Sequence, residues 1–68
     1  MDIIRINTER IKLDQFVKWA GIAATGSEAK KIIRNGVVKV NGEVAIERGK
    51  KLKKDDIVEI MGRKYKLG

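Results

Sequence analysis

The spacing of apolar positions changes along the chain. Ile3, Ile4 and Ile6 surround Arg5 and stop at the polar Asn7-Thr8-Glu9, which predicts a short strand over 3–6. Leu13, Phe16, Val17 and Ala20 then recur at i, i+3, i+4 and i+7, one stripe of a helix over about 12–20. Asp14 lies in its first turn, where the helix dipole favours negative charge, and Gly21-Ile22 suits a Schellman-type stop. Thr25-Gly26-Ser27-Glu28 reads as a capping box, with Thr25 as N-cap and Glu28 three residues later. It opens a second helix over about 26–34 that ends at Asn35-Gly36.

Beyond Gly36 the period shortens to that of strands. Val37, Val38 and Val40 make a strand, Asn41-Gly42 is a strong hairpin signal, and Val44-Ala45-Ile46 returns. Arg48 to Lys54 reads as a basic loop anchored by Leu52. Asp55-Asp56 forms a turn, Ile57 to Ile60 a strand, Met61-Gly62-Arg63 a turn, and Tyr65 to Leu67 a last strand in which Tyr65 packs. The order predicts one α+β domain over 1–68, with two helices packed on a small antiparallel β-sheet. The expected core is Leu13, Phe16, Val17, Ala20, Ala29, Ile32, Ile33, Val38, Val40, Leu52, Val58 and Ile60.

Charge adds direction to this picture. The net charge is +7, and its distribution is uneven. Residues 1–29 hold four basic and four acidic residues, whereas residues 30–68 hold twelve basic and five acidic ones and so carry the whole excess. A basic excess confined to part of a small domain points to a polyanionic partner. On the second helix, residues spaced about 100° apart put Lys30, Lys31 and Arg34 together, opposite the apolar Ala29, Ile32 and Ile33. Arg48, Lys50, Lys51, Lys53 and Lys54 form a second cluster, either solvated or a further contact.

The same inventory narrows the chemistry. With no histidine and no cysteine, the chain lacks the commonest general base and metal ligand, the thiolate nucleophile and any disulfide. No phosphate-cradling glycine loop is visible, so a non-enzymatic protein without cofactor or metal is expected. There is no signal-peptide pattern and no apolar run of about 20 residues, which predicts a cytoplasmic protein without a membrane partner. Nothing sets up a coiled coil, and a monomer is expected.

The ordered set Leu13-Asp14-Gln15-Phe16, Gly21, Ser27-Glu28-Ala29-Lys30, Ile33, Gly36, Val38-Lys39-Val40-Asn41-Gly42, Leu52 and Asp56-Ile57-Val58 resembles the S-four RNA-binding domain, the alpha-L motif. The match spans about residues 10–60. Thr25 to Lys30 and Arg48 to Leu52 are similar to the small stand-alone bacterial members. The resemblance implies binding of structured RNA, ribosomal or transfer RNA, in a setting of ribosome assembly, translation or ribosome quality control, with no small-molecule substrate. Carried onto matching positions, the family's RNA-facing surface becomes Lys12, Ser27, Lys30, Lys31, Arg34, Lys39 and Asn41. Arg48, Lys50 and Lys51 are added from the second cluster. Many members have Ser-Arg where this chain has Thr25-Gly26, so an arginine-to-phosphate contact is missing; the positive end of the second helix still offers backbone amides. Their Gly-Asp turn is Asp55-Asp56 here.

Two other readings compete. A DNA-binding helix-turn-helix would insert the second helix, but that helix offers only Lys and Arg, with no Asn or Gln for base edges. A protein-interaction module would use the charges for solubility alone. Trp19, the single tryptophan, falls about 60° from Phe16 on the wheel, which favours a place at the core edge over stacking on an unpaired base. With aromatics at 4%, recognition should rest on shape and phosphates more than on base sequence.

Overall fold

The computed structural model describes residues 1–68 and resolves the chain into seven short strands and two helices. In order these are β1 (Asp2–Ile4), β2 (Arg10–Lys12), α1 (Leu13–Trp19), α2 (Gly26–Arg34), β3 (Val38–Val40), β4 (Glu43–Val44), β5 (Lys51–Lys53), β6 (Ile57–Ile60) and β7 (Arg63–Leu67).

Local chemistry fixes both helices where the pattern placed them. At the end of α1 the amide of Gly21 donates to the carbonyl of Lys18 at 3.0 Å, and that of Ile22 to Val17 at 3.1 Å. These two bonds, with Gly21 at φ +78°, make the Schellman motif. At the start of α2 the Thr25 hydroxyl accepts from the amide of Glu28 at 3.2 Å. The Glu28 carboxylate reaches back to accept from the amide of Ala24 at 3.0 Å, one residue beyond the usual capping-box partner.

The fold is α+β, with a sheet that is mixed rather than wholly antiparallel. Five strands lie in the order β1-β7-β6-β3-β4. The pairs among β7, β6, β3 and β4 are antiparallel, but β1 runs parallel to β7 with Asp2 opposite Tyr65 and Ile4 opposite Leu67. The strand expected over 3–6 lies at Asp2–Ile4, and its apolar residues do not name its partner, so the direction of pairing is not readable from the pattern. Two-residue loops close both hairpins, Asn41-Gly42 between β3 and β4 and Met61-Gly62 between β6 and β7. All four residues have positive φ, as type I′ turns require.

The basic segment expected to be a loop contains a strand. β5 pairs antiparallel with β2 in a separate two-stranded ribbon. β4 is shorter than expected, since Ala45 turns inward and is buried while Ile46 faces solvent.

Helices and ribbon enclose one core. Leu13, Phe16 and Val17 of α1 and Ala29 and Ile33 of α2 meet Val38, Val40, Val58, Ile60, Tyr65 and Leu67 from the sheet, and Leu52 from the ribbon. Phe16 and Tyr65 meet edge to face, with ring centroids 6.4 Å apart. Ala20 and Ile32, expected in the core, pack at its rim and are only half-buried. Ile6, Ala23, Ala45 and Leu67 take core places outside the expected set.

Candidate nucleic-acid interface

The ribbon is the most unusual electrostatic feature of the molecule. Its register puts Arg10 opposite Lys53, Ile11 opposite Leu52, and Lys12 opposite Lys51. Ile11 and Leu52 turn to the core, so strand alternation sends Arg10, Lys12, Lys51 and Lys53 together to the exposed face. Like charges directly opposite on paired strands oppose pairing. The ribbon holds because Leu52 is fully buried and because the neighbouring loop is tied to α1. The amide of Leu13 donates to the Lys50 carbonyl at 2.8 Å, and that of Asp14 to the Arg48 carbonyl at 3.0 Å. These bonds satisfy two of the free amides at the start of α1 and bring Arg48, Lys50 and Lys51 beside Lys12. Two clusters 36 residues apart in sequence, at Lys12 and Arg48, thus become one surface.

The second basic surface is α2. Ala29 and Ile33 are buried against the core, which turns Lys31 and Arg34 to solvent and leaves Lys30 half-buried at the flank. Ser27 is exposed in the first turn, where the helix end carries partial positive charge. α1 lies between the two surfaces, since β2 runs directly into it and α2 packs along it.

Lys39 and Asn41 are placed elsewhere. On β3 the buried Val38 and Val40 face the helices, so Lys39 projects from the opposite face of the sheet, with Glu59 as its cross-strand neighbour on β6. Asn41 is occupied by the fold: its amide nitrogen donates to Asp56 at 3.2 Å, and its amide oxygen accepts from the backbone of Ile57 at 2.9 Å. Trp19 lies outside the core cluster and is 53% exposed, although its indole N–H donates to the Arg5 carbonyl at 2.8 Å.

Comparison with known proteins places this arrangement. The sequence matches the S4 domain family over residues 4–67. The chain belongs to the S4 domain family. Among curated proteins it is similar to the probable ribosome maturation protein RlbA of Bacillus subtilis (strain 168), with 44% identity over 59 residues, 87% of this chain and 83% of the relative. Among solved structures it resembles the 30S ribosomal protein S4e from Thermoplasma acidophilum, with a TM-score of 0.75 and 26% identity over 88% of this chain. That alignment covers 32% of the ribosomal protein, so this chain spans about a third of its length.

The S4 domain built by this sequence leaves most of its cations unneutralised. Of the sixteen Lys and Arg residues, only Lys53 and Lys66 lie within 4.0 Å of a carboxylate, that of Asp56 and Asp55 respectively. Several acidic groups are turned to the backbone instead. Glu28 caps α2, Asp14 accepts from the amide of Gln15 at 2.8 Å, and the buried Asp56 accepts from the amide of Lys53 at 2.9 Å. Neither Arg10 nor the pairing of Lys12 with Lys51 stands out from charge and helical periodicity alone. The available signal was the matching basic-apolar-basic alternation of Arg10-Ile11-Lys12 and Lys51-Leu52-Lys53.

Proposed function

We propose that this S4 domain binds structured RNA without catalysing a reaction, and that ribosomal RNA is its target. The observation that carries the reading is the ribbon, which sets four cations on one face with Arg10 opposite Lys53 and Lys12 opposite Lys51. A phosphate backbone lying across that face would relieve the repulsion between the strands and release its own counterions. Arg48 and Lys50 extend the same surface. Lys30, Lys31 and Arg34 on α2 grip a neighbouring stretch, with the Ser27 end of that helix meeting a phosphate. Lys39 and Asn41 fall outside the main contact, because one faces away and the other is held by Asp56 and Ile57. The likeness to a probable ribosome maturation protein and to a ribosomal protein supports ribosomal RNA over transfer RNA and favours a role in the assembly of the ribosome.

The test is a titration of ribosomal RNA fragments and matched duplex DNA at two salt concentrations. RNA is expected to bind more tightly than DNA and to weaken steeply with salt. Replacing Lys12 and Lys51 with Ala should lower the salt slope by about two, close to one per lost phosphate contact. Equal affinity for DNA would favour the helix-turn-helix reading. Absence of binding to either nucleic acid at low salt would overturn the proposal in favour of a protein partner.

A further inference from the structure

The ribbon accounts for phosphates but leaves Trp19 unexplained. It is the only tryptophan, and about half of the residue's surface stands in water. The other two aromatics, Phe16 and Tyr65, are buried against each other. Trp19 is nevertheless held in place, because its indole N–H is fixed on the Arg5 carbonyl at 2.8 Å. It forms one wall of a hollow shared with Asn7, Thr8, Ile11, Gln15 and Lys18. Gln15 precedes Trp19 by one helical turn, so the two side chains lie on the same face of α1. Ile11 and Gln15 also line the adjoining hollow, whose other walls are Arg10, Lys12 and Lys51. A rigid, exposed indole therefore sits next to a row of cations, with a single amide side chain between them.

We propose that Trp19 is the stacking platform for one unpaired base of the bound RNA, and that Arg10, Lys12 and Lys51 hold the phosphates of the strand leading to that base. The inference rests on the RNA reading above. An indole offers its face to any base, and a cationic groove beside an aromatic ring is the arrangement that binds single strands with little sequence preference. Gln15 can donate to or accept from the edge of the stacked base. A fully paired helix has no free base face to offer, so the platform favours a bulge, a loop or a single-stranded flank over a continuous duplex. With one exposed ring, the subsite takes one base.

The single tryptophan makes the test direct. Two RNA hairpins of equal length are titrated at low salt, one fully paired and one carrying a two-nucleotide bulge, while tryptophan emission of the unaltered protein and anisotropy of the labelled RNA are followed. The bulged RNA should quench the emission over the same concentrations at which anisotropy rises, and the paired RNA should bind without quenching. Trp19→Ala should weaken the bulged RNA about tenfold or more and the paired RNA little, and Trp19→Phe should recover most of the loss. The emission arm uses the native protein, so it holds even where Trp19→Ala unsettles the fold. If both RNAs bind alike and emission is unchanged, the platform is wrong and the phosphate-binding surface stands. If neither RNA binds at low salt, the RNA reading fails and this inference falls with it.

Discussion

Asp56 is the only charged residue the fold buries, and its carboxylate joins three parts of the chain. One oxygen accepts from Asn41 in the β3–β4 turn, the other from the amide of Lys53 at the end of β5, and the residue itself leads into β6. Asp56→Ala would leave a backbone amide and a side-chain amide without partners, a loss of about 1–3 kcal/mol readable by urea denaturation. Asn41→Gly keeps a residue suited to the turn's φ of +52° but removes both side-chain bonds. It should lower the melting temperature while leaving RNA affinity unchanged where the protein is folded; a selective loss of affinity would return Asn41 to the RNA surface. Two neighbouring turns run the other way. Asp55 and Met61 hold positive φ, at +74° and +48°, where L side chains are strained. Asp55→Gly, and Met61→Asn in its type I′ turn, should each raise stability by about 0.5–1 kcal/mol, seen as a higher thermal midpoint.

At the scale of elements, the two basic surfaces are separable. Changing Lys30, Lys31 and Arg34 together to Ala alters α2 without touching the ribbon, and relieves like-charge neighbours on the helix. The triple variant should remain folded, bind RNA more weakly and show a flatter salt dependence; unchanged binding would assign the whole grip to the ribbon and the Arg48–Lys50 segment. The helix ends were legible in the sequence because capping chemistry is local: Thr25, Glu28 and Gly21 act on residues within one or two turns of themselves. The ribbon was not legible, since Arg10 and Lys53 are 43 positions apart and each strand is only three residues long. The basic run from Arg48 to Lys54 reads as a loop anchored by Leu52, and the pairing of Lys51–Lys53 with Arg10–Lys12 shows the strand within it. Lys39 is the converse case. Its neighbours Val38 and Val40 show that it faces away from the core, but which other cations share that side depends on the packing of helices against the sheet.

The whole molecule is small, and its stability depends on a few large side chains. A chain of 68 residues has a stability of roughly 3–10 kcal/mol at typical values per residue. Phe16 is fully buried, and Phe16→Ala should remove about 3–5 kcal/mol, a third or more of that stability. Circular dichroism during denaturation would show this, and a loss below about 1 kcal/mol would mean that the core has a second support. The core was largely readable from periodicity; Ile6, Ala23 and Ala45 were not, because each sits in a turn or connection where no repeat operates, and Leu67 was missed at the very end of β7.

The parallel pairing of β1 with β7 also sets an order in time. Of the strands in this domain, β1 is made before all others and is matched to β7, made after them, and bonds between Ile4, Ile6 and Gly68 extend that match. Until residues 63–67 have been made, β1 has no partner and the edge of β6 stays open. Closing β1 onto β7 spans a longer stretch of chain than any other strand pairing here, and so carries the largest loop-entropy cost among them. The sheet is therefore completed only after synthesis of the last strand, and a chain halted before Arg63 would carry its basic surfaces on an unfinished domain.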